Sequence, residues 1–356
     1  MKKNYTYDDV CLIPQMTMLR SRSDADTVVP FGRNNESKLL APFISANMDT
    51  VTGPEMAAVM WDVGGIGALH RFNTVKEACR DFLKVKEINP IAECIVSVGV
   101  HDYETRCIEL AKAGAKYFVV DIAHGHSIAM KETLTWMKNN LRLNNGDRPY
   151  IIAGNVATPL AVRHLSEWGA DVIKVGIGPG ACCKTRIVTG HGVPQFSAVL
   201  DCAREASRLG VKTIADGGIR NSGDIVKAFA AGTDFVMLGS LLSGTKEAPG
   251  EMITKVTEHG DKQHFKVYRG MASDSAREDR GKAYNDQYSY VPAAEGVKTL
   301  VPYKGTAHSI IMQLKKGLKS GMSYCNATKV DEIKDCALFE LQTSSGFNEG
   351  KPHILG

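Results

Sequence analysis

Cys183 lies on the glycine-rich run Gly176-Ile177-Gly178-Pro179-Gly180-Ala181-Cys182-Cys183-Lys184-Thr185-Arg186. Cations such as Lys184 and Arg186 beside a thiol favour its thiolate, and the thiolate is the nucleophile. Thr185, two residues on, offers a hydroxyl able to relay a proton. A cysteine inside a strand or helix is more simply a small buried hydrophobe, which is the reading for Cys79, Cys94, Cys107 and Cys202. The loop context sets Cys183 apart.

Four further groups carry possible chemistry. Asp216-Gly217-Gly218 and Gly239-Ser240 each close a short β-branched run. Glycine lets backbone N–H groups approach an anion, so both sites suit a phosphate, and both also suit tight turns. Asp121 can contact a ribose or a base, and Asn155 can hydrogen-bond a ligand. His70, His124 and His126 follow apolar runs. His124-Gly125-His126 has the look of a metal pair, but no third ligand has readable spacing, so satisfied loop histidines are the alternative.

These residues need a scaffold that brings strand ends together. β-branched runs recur at 42–45, 67–69, 94–98, 117–120, 150–153, 172–175, 212–215 and 235–238. Stretches of helical periodicity separate them at 54–63, 74–88, 103–113, 128–141, 159–168, 197–209 and 222–231. Eight such alternations predict an α/β fold, a (β/α)8 TIM barrel with a parallel sheet buried on both faces. A doubly wound sheet is the alternative, but no G-x-G-x-x-G follows the first strand. Two segments exceed the usual connection of about 2–6 residues. One is the 176–194 loop after strand six. The other is a flap, 244–305, after strand eight and before a closing helix near 308–319. Both lie at C-terminal strand ends, where barrels build their sites. No linker divides the chain, so residues 1–356 read as one catalytic barrel with a tail at 340–356.

Composition excludes several classes. The 356 residues are 44% hydrophobic and carry a net charge of +4 without a basic tail, so nucleic acid is not expected as a partner. No run approaches the ~20 apolar residues of a membrane span. The start lacks the apolar core of a signal peptide, and nine cysteines without C-x-x-C spacing suggest reduced thiols. A cytoplasmic location is the expectation.

The sequence resembles the IMP dehydrogenase/GMP reductase family over nearly its whole length. The resemblance rests on Ala46-Asn47-Met48-Asp49-Thr50-Val51, the 176–186 run followed by Gly192-Val193-Pro194-Gln195, Ala215-Asp216-Gly217-Gly218-Ile219-Arg220, and Val236-Met237-Leu238-Gly239-Ser240. It implies a purine nucleotide attacked at C2 by Cys183, with Thr185 and Glu295 as catalytic partners and hydride exchange with a nicotinamide. Substrate contacts would then fall to Asn155, Asp216, Gly217, Gly218, Gly239, Ser240, Tyr268, Gly270 and Met271. Cofactor contacts would fall to Asp121, Ala123, His124, Lys174 and Gly176. A monovalent cation, K+, would sit on the carbonyls of Gly178, Gly180 and Cys183 with Glu349 and Gly350, and a homotetramer is implied. The family's regulatory insert is missing, because His70 runs straight into the helix at 74.

The direction of the reaction follows from finer likeness. Val120-Asp121-Ile122-Ala123-His124-Gly125-His126-Ser127 and Ser21-Arg22-Ser23-Asp24 look like GMP reductase. Tyr268-Arg269-Gly270-Met271, Glu295-Gly296-Val297 and the tail with Glu349-Gly350-Lys351-Pro352-His353 look like IMP dehydrogenase. A dehydrogenase of this family activates water with an Arg-Tyr pair on its flap. Residues 271–305 hold no such pair, Arg280 preceding Gly281 and Tyr288 following Gln287. The resemblance therefore favours GMP reductase with NADPH, with IMP dehydrogenase and NAD as the alternative. A nucleotide-binding barrel without catalysis is the third reading. One departure stands out: Ala181 occupies the place of a phosphate-binding Ser, a hydrogen bond worth about 1.5–3 kcal/mol.

Overall fold

The computed structural model describes residues 2–101, 103–258, 260–284 and 293–352. Within the helix ending at Tyr284, the side chains of Arg277, Arg280 and residues 282–284 are outside the description. Tyr288 and His353 lie outside the described residues.

Eight parallel strands close into a barrel: β1 (Phe43–Ser45), β2 (Ile66–Leu69), β3 (Cys94–Val98), β4 (Tyr117–Asp121), β5 (Tyr150–Val156), β6 (Val172–Val175), β7 (Lys212–Asp216) and β8 (Phe235–Leu238). Each pairs with its sequence neighbours, and β8 closes on β1 with Leu238 opposite Ser45. The predicted strands lie within three residues of these limits. β1, β2, β3, β6 and β8 are buried along their whole length, as a sheet covered on both faces requires.

The covering helices are α1 (Pro54–Asp62), α2 (Val75–Ile88), α3 (Tyr103–Lys112), α4 (Ile128–Asn140), α5 (Pro159–Trp168), α6 (Gln195–Leu209), α7 (Ser222–Ala230) and α8 (Ala307–Tyr324). Local chemistry sets their ends. Thr74 and Glu77 form a reciprocal cap at the start of α2, satisfying two otherwise orphaned donors. Thr158 caps α5 ahead of Pro159, and Gly169 ends that helix in the left-handed region at φ 119°. Among the described residues no helix is long and apolar enough to cross a membrane.

An antiparallel hairpin, Val29–Phe31 with Ser37–Leu39, plugs the N-terminal end of the barrel. Phe31 is fully buried there, edge-on to Tyr117, Tyr150 and Phe235 at 4.9, 5.3 and 5.5 Å. Those three rings begin β4, β5 and β8, so the plug fills the N-terminal mouth of the barrel interior.

Several elements go beyond the sequence reading. The flap contains a three-stranded antiparallel sheet, Ile253–Val256, Lys262–Arg269 and Lys298–Pro302, and the helix Asp274–Tyr284. A strap, Val10–Ile13, pairs with Leu338–Leu341. The 176–194 loop holds a short helix, Thr185–Thr189. The closing helix α8 is longer than 308–319.

Candidate active site

The open end of the barrel holds a cleft of about 420 Å³. Its walls come from the ends of β1, β4, β5, β6, β7 and β8, from the loop after β6, and from the flap.

Cys183 is part-exposed on the loop wall. Its thiol donates to Thr185 Oγ1 at 3.2 Å, and the Thr185 hydroxyl donates to Glu295 Oε2 at 2.7 Å. Glu295 arrives from the flap, 110 residues further along the chain. Backbone bonds hold the two segments together: Lys184 N donates to the Glu295 carbonyl at 2.7 Å, and Val297 N donates to the Cys182 carbonyl at 3.1 Å. A thiol, a hydroxyl and a carboxylate thus form a continuous proton path.

Opposite them lies a buried charge cluster. Lys174 on β6 is 3% exposed, and its Nζ sits 2.9 Å from Asp121 Oδ1 and 2.6 Å from Asp216 Oδ2. Burial works against its charge, but the two carboxylates overcome it and hold the ammonium protonated, above the ordinary lysine value. Burial alone would raise the Asp121 carboxyl. Lys174, Arg71 and Asn47 outweigh that and hold it below the usual carboxylate range. Asn155 Nδ2 donates to Asp216 Oδ2 at 2.9 Å and to the Gly176 carbonyl at 2.7 Å. Asn155 Oδ1 is buried without a hydrogen-bond partner. An orphaned acceptor beside the Asp216 carboxylate fits the hydroxyl donors of a ribose.

The flap side is pinned separately. Arg269 forms an ion pair with Asp49, its Nε 3.0 Å from Oδ2, and its Nη1 reaches Asp279 at 2.8 Å. Its neighbours Tyr268, Gly270 and Met271 line the cleft. Tyr268 stands against Gly239, where an added Cβ would come within 3.3 Å of its hydroxyl.

Most of the residues expected from sequence converge here. Cys183, Thr185, Glu295, Asn155, Asp216, Tyr268, Gly270, Met271, Asp121, Ala123, Lys174, Gly176, Gly178 and Gly180 all line the cleft. Gly217, Gly218, Gly239 and Ser240 do not line it, although Gly217 abuts Pro179 and Gly180 of the loop. His124 is exposed outside it, and Glu349 and Gly350 also lie elsewhere, at the end of a helix packed near the turn Tyr7–Asp9. His126 bonds His164 at 2.8 Å, and no group of three or more metal-capable side chains occurs among the described residues. Sequence reasoning missed Arg71, Phe72 and Met48 on the wall and the Arg269–Asp49 pair beneath it. Asn47, Met48 and Asp49 stood inside a recognised motif, but nothing in their spacing shows a partner 220 residues away.

The IMP dehydrogenase / GMP reductase domain model matches residues 4–353. The chain belongs to the IMP dehydrogenase/GMP reductase family. Its members are purine nucleotide oxidoreductases that use nicotinamide cofactors. An IMP dehydrogenase of Nitrosopumilus maritimus is 33% identical, covering 99% of this chain and 98% of the relative. A GMP reductase of Leishmania major is 32% identical, covering 100% and 98%. The alignment with the first runs over 482 positions against 356 residues here, so that relative carries residues this chain lacks. A GMP reductase from Trypanosoma brucei, solved with guanosine 5'-monophosphate, superimposes with a TM-score of 0.89. It is 30% identical and covers 100% of this chain and 99% of its own. Family members of both reactions thus stand at similar distance.

Proposed function

We propose that this oxidoreductase is a GMP reductase, converting GMP and NADPH to IMP, ammonia and NADP. The observation that carries the reading is the Cys183–Thr185–Glu295 path, with successive contacts of 3.2 and 2.7 Å. Cys183 Sγ attacks purine C2, and the C2–N bond breaks as the C–S bond forms. Glu295, through Thr185, delivers the proton that the departing ammonia needs. NADPH supplies a hydride to C2, after which the C–S bond breaks and the thiolate is regained. Asp216 and Asn155 accept from and orient one ribose, and Asp121 the other, with Lys174 keeping both carboxylates in place. The reading includes a potassium ion on the carbonyls of Gly178, Gly180 and Cys183.

The absence of an Arg-Tyr pair from 271–305 supports the reductase, because ammonia release needs no activated water. A second reading, IMP dehydrogenase, draws support from Tyr268, Gly270 and Met271 on the cleft wall. A spectrophotometric assay of reduced nicotinamide decides between them. Purified protein with potassium is given GMP and NADPH in one cuvette, IMP and NAD in the other. We expect oxidation of NADPH with stoichiometric ammonia. Reduction of NAD with IMP, and no turnover of GMP, would overturn the proposal. Cys183→Ala is expected to abolish turnover while nucleotide binding survives.

A further inference from the structure

The nucleophile has a second thiol next to it that the reaction does not use. Cys182 lines the same cleft as Cys183, and no other cysteine does. At 5% exposure Cys182 is shielded, whereas Cys183 is part-exposed. The outer sulfur therefore meets solutes first.

We propose that Cys182–Cys183 is a reversible oxidation site, in which Cys182 rescues the nucleophile from hydroperoxides by forming a disulfide with it. The inference rests on Cys183 being the reactive thiol of the proposed reaction. The chemistry balances in two steps. Cys183 thiolate attacks the terminal oxygen of a hydroperoxide, breaking the O–O bond; the sulfur is oxidised to sulfenic acid and the peroxide reduced to an alcohol or water. The Cys182 sulfur then attacks the sulfenyl sulfur, the S–O bond breaks, and one water leaves with the thiol proton. Without a partner thiol, the sulfenic acid meets further peroxide and advances to sulfinic acid, which thiols do not reverse.

The backbone suits a labile bond. Consecutive Cα atoms lie about 3.8 Å apart, below the ~4.4–6.8 Å of ordinary disulfides, so the ring is strained and easily reduced. Gly180, whose added Cβ would touch only Cys183 at 3.5 Å, leaves open space on the upstream side of the pair.

The test compares wild type with Cys182→Ala, each judged against its own starting activity. Both are exposed to hydrogen peroxide and then to a dithiol. Cleavage after Lys174 and Lys184 yields the fragment 175–184, which contains both cysteines and no others. We expect the wild-type fragment to become lighter by two hydrogens and its activity to return fully with the dithiol. The variant fragment is expected to become heavier by two oxygens, with no return of activity. A wild-type fragment that gains oxygens as fast as the variant's, or that stays unchanged while activity falls, would overturn the proposal. So would equal recovery of the two proteins. Cys183→Ala, assayed alongside, keeps the parent reading separate: surviving turnover there removes the nucleophile assignment, whereas the fragment mass judges the disulfide alone.

Discussion

Replacing Lys174 with Met isolates the charge cluster that the cleft is built around. The substitution keeps length and removes one ammonium that two carboxylates contact at 2.9 and 2.6 Å. Removing one partner from a buried ion pair costs about 3–5 kcal/mol, because the remaining charge is left uncompensated. Asp121 and Asp216 are 24% and 21% exposed to the cleft, so water relieves part of this and the lower end applies. At about 2.1 cal/mol/K per residue, unfolding entropy for a chain of 356 residues is roughly 0.75 kcal/mol/K. A loss of ~3 kcal/mol therefore lowers Tm by roughly 4 °C. The pH dependence has a definite sign. In the wild type the Asp121 carboxyl is held low, so its contribution is present above the unfolded value of about 3.9 and is lost as pH falls through the folded value. Without Lys174, burial dominates and raises the Asp121 carboxyl, so protonation relieves the variant. The Tm gap between the two proteins should narrow as pH falls from about 8 to about 5. Adding Asp121→Asn to Lys174→Met should recover part of the loss, the signature of coupled neighbours. Calorimetric scans of the three proteins across that range test this. A gap that is absent, or that does not change with pH, would refute the compensation argument.

Three further outcomes follow from the cleft. Glu295→Gln removes the end of the proton path and should lower kcat by about 10²–10⁴ with Tm unchanged, read by steady-state kinetics beside a thermal scan. Ala181→Ser returns a hydroxyl to the loop wall and should tighten nucleotide binding about 10- to 150-fold, equivalent to ~1.5–3 kcal/mol, as titration calorimetry would show. Gly176→Ala places a Cβ against the Asp216 carbonyl from a φ of 153°, so soluble protein should lose both Tm and nucleotide affinity, whereas Gly190→Ala, with open space around it at φ 72°, should lose less.

The barrel was legible because each strand is a short apolar run that must be buried on both faces, and α2, α4, α5, α7 and α8 carry side-chain N-caps. Asp216 and Asn155 were legible for the same reason, sitting where those runs end, while Cys183 stood out by its glycine-rich loop beside Lys184 and Arg186. The flap sheet was not, since Ile253–Val256 is largely exposed and carries no periodic signal. Arg269 was read only as part of a motif, because its partner Asp49 is fixed by how the flap returns to β1. Phe31 escaped notice for a related reason. A lone aromatic in a three-residue strand reveals nothing until three rings from distant strands surround it.

Under the proposed mechanism, the bonds between the loop and the flap turn catalysis into a local folding equilibrium. Cys183 is supplied by one segment and Glu295 by the other, and the backbone pairs at Cys182, Lys184, Glu295 and Val297, with the Thr185–Glu295 bond, register them. The observed kcat is then the chemical rate multiplied by the docked fraction of the flap. If undocking costs about 1.4 kcal/mol, one molecule in roughly ten is idle at any instant. Substitutions far from the purine, anywhere in the 253–302 sheet, would scale turnover without altering the bond-breaking step. Warming would speed the chemistry while thinning the competent population, so activity would peak below the temperature at which the barrel itself unfolds.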